Sequence, residues 1–162
     1  MPVPEESGIA GGMFRSFMPD ALAEARAAAS RGEVPVGAVI ERGGHVLARA
    51  GNRCREVPDP TAHAEMLAIR AACAATGSER LEGATLWVTL EPCAMCAQAI
   101  AHARLARVVF GAVDPKSGGV LHGARVFRHP QTHHRPEVVD GIDAEACAAL
   151  LRAFFAARRG GQ

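Results

Sequence analysis

Leu90 to Cys96 reads Leu-Glu-Pro-Cys-Ala-Met-Cys, and this stretch constrains the chain more than any other. The run from Ala84 to Leu90 leads in, with strand character from Trp87, Val88 and Thr89. Ala97 to Arg104 follows, alanine-rich and without a breaker, so it reads as helix. Pro92 then falls at the first helical position, where its missing N–H costs nothing. Such a strand–turn–helix unit aims unpaired backbone N–H groups and the positive end of a helix dipole at Cys93 and Cys96. Both effects favour the thiolate, which is the metal-binding form of cysteine.

Two thiolates do not fill the shell of a metal such as zinc. The strongest upstream donor lies in Asp59-Pro60-Thr61-Ala62-His63-Ala64-Glu65. Thr61 is expected to cap a helix that Met66, Leu67, Ile69 and Cys73 continue, which puts His63 and Glu65 in its first turn. His63 with Cys93 and Cys96 makes three protein ligands for Zn2+ and leaves a fourth position open, the mark of a catalytic site. Glu65 is then placed to exchange protons at the open position without binding the metal. A lone C-x-x-C also occurs as a redox pair or as half of a zinc ribbon. No second C-x-x-C exists here to complete a ribbon. The catalytic-metal reading uses all four residues.

The chain has 162 residues, 49% of them hydrophobic and 22% charged, which suits one globular domain with a real core. Residues 1–13, with Gly8, Gly11 and Gly12, are expected to form a flexible leader ahead of a domain over 14–159. The first residues carry acids and prolines where a signal peptide needs a basic start. No apolar run approaches the roughly 18 residues of a membrane span. A soluble, cytoplasmic protein is expected. Five cysteines is an odd number: Cys73 and Cys147 read as core packing and Cys54 as a loop bystander. The net charge of +1 hides an imbalance. Between Ala97 and Pro136 stand Arg104, Arg107, Lys116, Arg125, Arg128 and Arg135 against the single acid Asp114. That run is either a solvated face or the footprint of a polyanion beside the active site.

Taken in order, a helix is expected from about Ser16 or Pro19 to Ser30, with Phe17, Leu22, Ala25 and Ala29 inward and Gly32 closing it. Val34 to Glu41 and Val46 to Gly51 read as strands joined by a hairpin turn at Arg42-Gly43-Gly44-His45. Gly37 marks either a bulge or a close backbone approach. Asn52 is a turn residue or a group that grips a purine edge, since an amide both donates and accepts. Helix 62–76, strand 84–90, helix 93–104 and strand 106–112 alternate as parallel α/β units do. The two metal-bearing helix starts should then meet at the carboxyl ends of neighbouring strands. A short helix near Val120–Arg128, an edge strand at Glu137–Val139 and a last helix capped by Asp143, with Ala146, Leu150, Leu151 and Phe154 inward, complete the expectation.

The pattern H-x-E followed by P-C-x-x-C resembles the signature of zinc-dependent nucleobase deaminases. The flanks narrow the resemblance. Pro35-Val36-Gly37-Ala38-Val39, Arg107-Val108-Val109-Phe110-Gly111-Ala112, Asp114-x-Lys116, Glu145 to Leu151 and Phe154-Phe155 are similar to the bacterial tRNA-specific adenosine deaminase family, over roughly residues 14 to 159. Two places depart from the family pattern: His133-His134 stands where an Asn-His pair is common, and Ser117 to His122 differs after Lys116. The resemblance implies a single three-layer α/β/α domain with a mixed five-stranded sheet, usually homodimeric. It implies one Zn2+ on His63, Cys93 and Cys96, Glu65 as proton shuttle and Asn52 orienting the base. Asp114, Lys116 and His129 would contact flanking sugar and phosphate. The implied reaction is hydrolysis of the wobble adenosine in an arginine tRNA anticodon loop to inosine. A free-base or nucleoside deaminase is the alternative with the same zinc site, and a zinc-stabilised binding module would have no use for Glu65.

Overall fold

The computed structural model describes residues 15–160, so the leader expected over 1–13 lies outside the described residues. The elements are α1 (Met18–Ser30), β1 (Gly37–Arg42), β2 (His45–Gly51), α2 (Ala64–Thr76), β3 (Thr85–Leu90), α3 (Ala94–His102), β4 (Arg107–Ala112), β5 (Glu137–Val139) and α4 (Ala144–Gly160). A 3-10 turn at Val126–Arg128 precedes β5. The five strands form one mixed sheet in the order β2-β1-β3-β4-β5. β1 runs antiparallel to both β2 and β3, whereas β3, β4 and β5 are parallel. The parallel pairing expected from the central α/β alternation holds for β3 and β4, and the sheet is mixed as expected.

The strand residues alternate between two cores, as the period-two pleat requires. Ala38, Ile40, Leu86, Val88, Val108 and Phe110 pack with Ala64, Ala68 and Ala72 of α2 and Ile100 of α3. Val39, Trp87 and Val109 point the other way, onto Phe17, Met18, Ala21 and Leu22 and onto Cys147 of α4. Helices thus cover both faces, and this is the three-layer domain expected. The hairpin turn is made by Gly43 and Gly44, both at positive φ (61° and 85°), the left-handed pair that suits the twist of a two-residue hairpin.

Gly37 is a close approach and not a bulge. A Cβ there would sit 2.5 Å from Ala25 N and overlap Ala21 O, so β1 lies against the backbone of α1. The register shift falls instead between Ile40 and Glu41. Three local expectations need correcting. His63, not Thr61, stands at the N-cap of α2. Thr61 instead donates its N–H and hydroxyl to Asp59 Oδ1 (2.8 and 2.7 Å). Cys93, not Pro92, begins α3 as its N-cap. In α4, Ala146 is exposed and Cys147 is buried, because Cys147 fills the space left by Gly111 of β4.

Candidate metal centre and substrate pocket

β2, β3 and β4 all end on the same side of the sheet, and each passes directly into a piece of the site. β1 lies between β2 and β3 with its N-terminal end on that side, so the helices that start at His63 and Cys93 do not follow adjacent strands. His63 and Cys93 occupy N-cap positions with extended backbone (ψ 153° and 175°), and neither side chain caps its own helix. That leaves both side chains free to point away. The helix after His63 is capped otherwise: Asn52 Oδ1 accepts the Ala64 N–H at 2.7 Å.

His63 Nδ1 lies 3.6 Å from Cys93 Sγ and 3.5 Å from Cys96 Sγ. Metal–nitrogen and metal–sulfur bonds of about 2.0 and 2.3 Å at a tetrahedral angle separate their donors by about 3.5 Å. The three donor atoms lie within 4.8 Å of one another and form a group able to hold a metal ion. Cys93 is pulled down to about 4, by hydrogen bonding with Cys96 first and with His63 after it, against the cost of burial. Cys96 is driven up by Cys93 and by burial. His63 is raised, chiefly by its hydrogen bond to Cys93. A metal held here would displace the protons that Cys96 and His63 retain.

Glu65 is 4% exposed and lines the same pocket without joining the donor cluster. Burial, more than any neighbour, raises its carboxyl to about 7. An acid in that range both accepts and returns a proton at neutral pH. The pocket has a volume of about 260 Å3. Val34, Val36 and Leu90 supply apolar wall, and Asn52 and Asp114 supply polar edge.

The structure brings together most, not all, of the residues singled out by sequence. Asp114 lines the pocket, and its Oδ1 accepts the N–H groups of Lys116 (3.2 Å) and Ser117 (3.0 Å). Lys116 lines a second groove of about 580 Å3, which shares Val34, Leu90, Asp114 and Ser117 with the first. His129 is not brought there. It lines a separate recess with Gln98, Val126 and Thr132, and its Nδ1 accepts the Gln131 N–H.

Most of the basic stretch is also spent on the protein itself. Arg104 donates to His133 O, Arg125 to Leu121 O, and Arg135 to Phe127 O and His129 O. Arg107 pairs with Glu137 across the β4–β5 ladder. Local charge was thus a weaker guide to the site than its density implied. Two groove residues escaped sequence reasoning. Phe155 is 43% exposed beside Lys116, and Arg159 lines the same groove, whereas its neighbour Arg158 donates to Gly32 O. An aromatic pair followed by an arginine pair at the end of α4 was the available signal.

The comparisons with known proteins agree with this geometry. The MafB19-like deaminase family profile matches residues 14–159. The tRNA-specific adenosine deaminase of Agrobacterium fabrum is 54% identical over 143 residues, 88% of this chain and 94% of that protein. The Bacillus subtilis protein of the same name is 48% identical, covering 86% of each chain. The chain belongs to the tRNA-specific adenosine deaminase family. A solved structure from work on A-to-I editing by tRNA:A34 deaminases at the wobble position of transfer RNA superposes with a TM-score of 0.82. It is 55% identical and covers 83% of this chain and 98% of its own. Among the described residues, no helix is long and apolar enough to cross a membrane.

Proposed function

We propose that this chain is a zinc-dependent tRNA deaminase that hydrolyses the wobble adenosine of an arginine tRNA anticodon to inosine. The observation that carries the reading is the convergence of His63, Cys93 and Cys96 with the buried Glu65 in one pocket, in a chain of this family. Two thiolates and an imidazole at these separations suit zinc, which supplies a Lewis acid and makes water ionisable near neutral pH.

The remaining steps belong to the protein. Glu65 takes a proton from the attacking water and delivers it to N1 of the purine. A C–O bond forms at C6; Glu65 then carries the second proton from that C6 oxygen to the amino group, and the C6–N bond breaks to release ammonia. Asn52, with Oδ1 engaged by Ala64 N–H, has its amide N–H groups for the base. The apolar wall of Val34, Val36 and Leu90 takes the ring faces and holds water away. At about 260 Å3 the pocket is near the lower end of ligand-site sizes, which suits one base turned out of a loop. The adjoining groove offers Lys116 and Arg159 for phosphate and Phe155 for stacking, the usual means of holding single-stranded RNA. His129 is assigned a more distant sugar–phosphate contact. The family resemblance supports a homodimer acting in the cytoplasm, and sedimentation would show the dimer.

The deciding experiment measures inosine by sequencing on an arginine anticodon stem-loop, with free guanine, cytosine and adenosine assayed alongside for ammonia. Inosine at the wobble position alone is the expected result. Ammonia from a free base with the stem-loop untouched would leave the zinc chemistry standing and overturn the tRNA assignment.

A further inference from the structure

We propose that Glu91 is a positioning residue for the reaction: its carboxylate clamps residues 114–122 against the metal-binding turn and so fixes the pocket wall that meets the RNA. Its side chain is fully buried. Oε2 accepts the N–H groups of Val120, Leu121 and His122 at 3.2, 2.8 and 3.1 Å. Oε1 accepts the Asp114 N–H at 2.9 Å and pairs with His122 Nδ1 at 2.9 Å. Both ends of the loop are thereby drawn onto one carboxylate. Glu91 stands two residues before Cys93, and the Gly119 N–H donates to Pro92 O at 2.8 Å, so the loop and the metal turn form one block.

The helix expected near Val120–Arg128 is reduced to the 3-10 turn at Val126–Arg128, because Gly123 and Arg125 take left-handed φ (57° and 45°) that interrupts a helix. The clamp reaches the pocket by a short relay. Glu91 fixes the Asp114 N–H, and Asp114 Oδ1 fixes the N–H groups of Lys116 and Ser117. Asp114 and Ser117 line the pocket and Lys116 the groove beside it. Gly118 and Gly119 allow the contact, since a Cβ at Gly119 would lie 2.5 Å from Ala94 N.

The inference rests on the RNA-deaminase reading, and the test separates the two. Glu91→Gln keeps shape, but either orientation of the amide turns its NH2 group toward N–H donors: three on one side, Asp114 on the other. Zinc content and far-UV circular dichroism should match wild type, while tryptic cleavage after Lys116 accelerates. KM for the stem-loop should rise about tenfold, the scale of one unsatisfied buried hydrogen-bonding group, with kcat reduced less. Lys116→Ala should cost less affinity in the Glu91→Gln background than alone, because the clamp acts through the loop.

Wild-type Lys116 cleavage and KM, loss of zinc, or full additivity with Lys116→Ala would each overturn the proposal. If Glu91→Gln does not fold, Gly118→Ala decides. Its Cβ would lie 2.6 Å from Asp114 O and overlap the Glu91 carboxylate, lifting the loop with Glu91 intact. Faster cleavage and a raised KM are expected there too, and wild-type values for both would overturn the clamp. Faster cleavage in either variant, with a wild-type protein inert on the stem-loop, would uphold the clamp and sink the RNA reading instead.

Discussion

Glu65 shows how one side chain serves two ends of the same argument. It is held in α2 two residues after His63, which turns it into the pocket, and the burial that follows raises its carboxyl to about 7. A carboxylate in water would take up a proton too reluctantly at neutral pH, so the apolar wall is part of its chemistry. Glu65→Gln should retain zinc, as measured by metal analysis, yet lose kcat by about 10²–10⁴-fold, the usual worth of a positioned general acid–base. An active variant would remove the proton shuttle. Asn52 poses a subtler case, since its Oδ1 is already occupied by the Ala64 N–H. Asn52→Ala should therefore lower stability by about 1 kcal/mol in denaturant titration, as loss of a helix-terminus partner does. Asn52→Asp keeps that acceptor and loses the donors. It should unfold near the wild-type midpoint and still bind the base poorly; wild-type turnover by Asn52→Asp would reduce Asn52 to a cap.

At the scale of elements, small residues decide how near the layers come to one another. Gly37 admits the backbone of α1 onto β1, and Gly111 admits Cys147 of α4 onto β4. Gly37→Ala forces a Cβ against backbone atoms of a helix that cannot retreat without breaking its own bonds. A loss of about 1–3 kcal/mol or more is expected, read as a lower denaturation midpoint at unchanged slope. The strands, the helices and the grouping of His63 with Cys93 and Cys96 were legible because each carries a local signal: continuous apolar runs in β1 and β3, alanine spacing in α2, soft donors at fixed separations. Three features were not local and so were not legible. The antiparallel pairing of β1 with β3 depends on which strand inserts between which. The docking of residues 120–122 depends on a carboxylate 29 to 31 residues away in sequence. The start of α2 depends on Asp59 engaging Thr61 itself and on Asn52 accepting the helix N–H that Thr61 was expected to serve.

For the whole molecule, the proposed RNA substrate raises the question of where a polyanion would meet a chain whose net charge is only +1. A dense basic stretch invites the answer that its cationic side chains do the work. In the folded chain, Arg104, Arg125 and Arg135 satisfy backbone carbonyls, and Arg107 holds the last ladder. Lys116 and Arg159 come from distant parts of the sequence and meet in the groove that opens onto the metal pocket. The two groups of cations should separate by experiment. Lys116→Ala and Arg159→Ala should each weaken stem-loop binding and lower the slope of log K against log salt by about 0.7, the value for one single-strand phosphate contact. Arg125→Ala and Arg135→Ala should leave that slope unchanged and lower the melting temperature instead, because each leaves a carbonyl unpaired. Binding titrations from low to moderate salt, beside thermal melts of the same four variants, give both numbers. If the slope changes with Arg125 and Arg135 and not with Lys116 and Arg159, the RNA crosses the basic loop and the groove has another use.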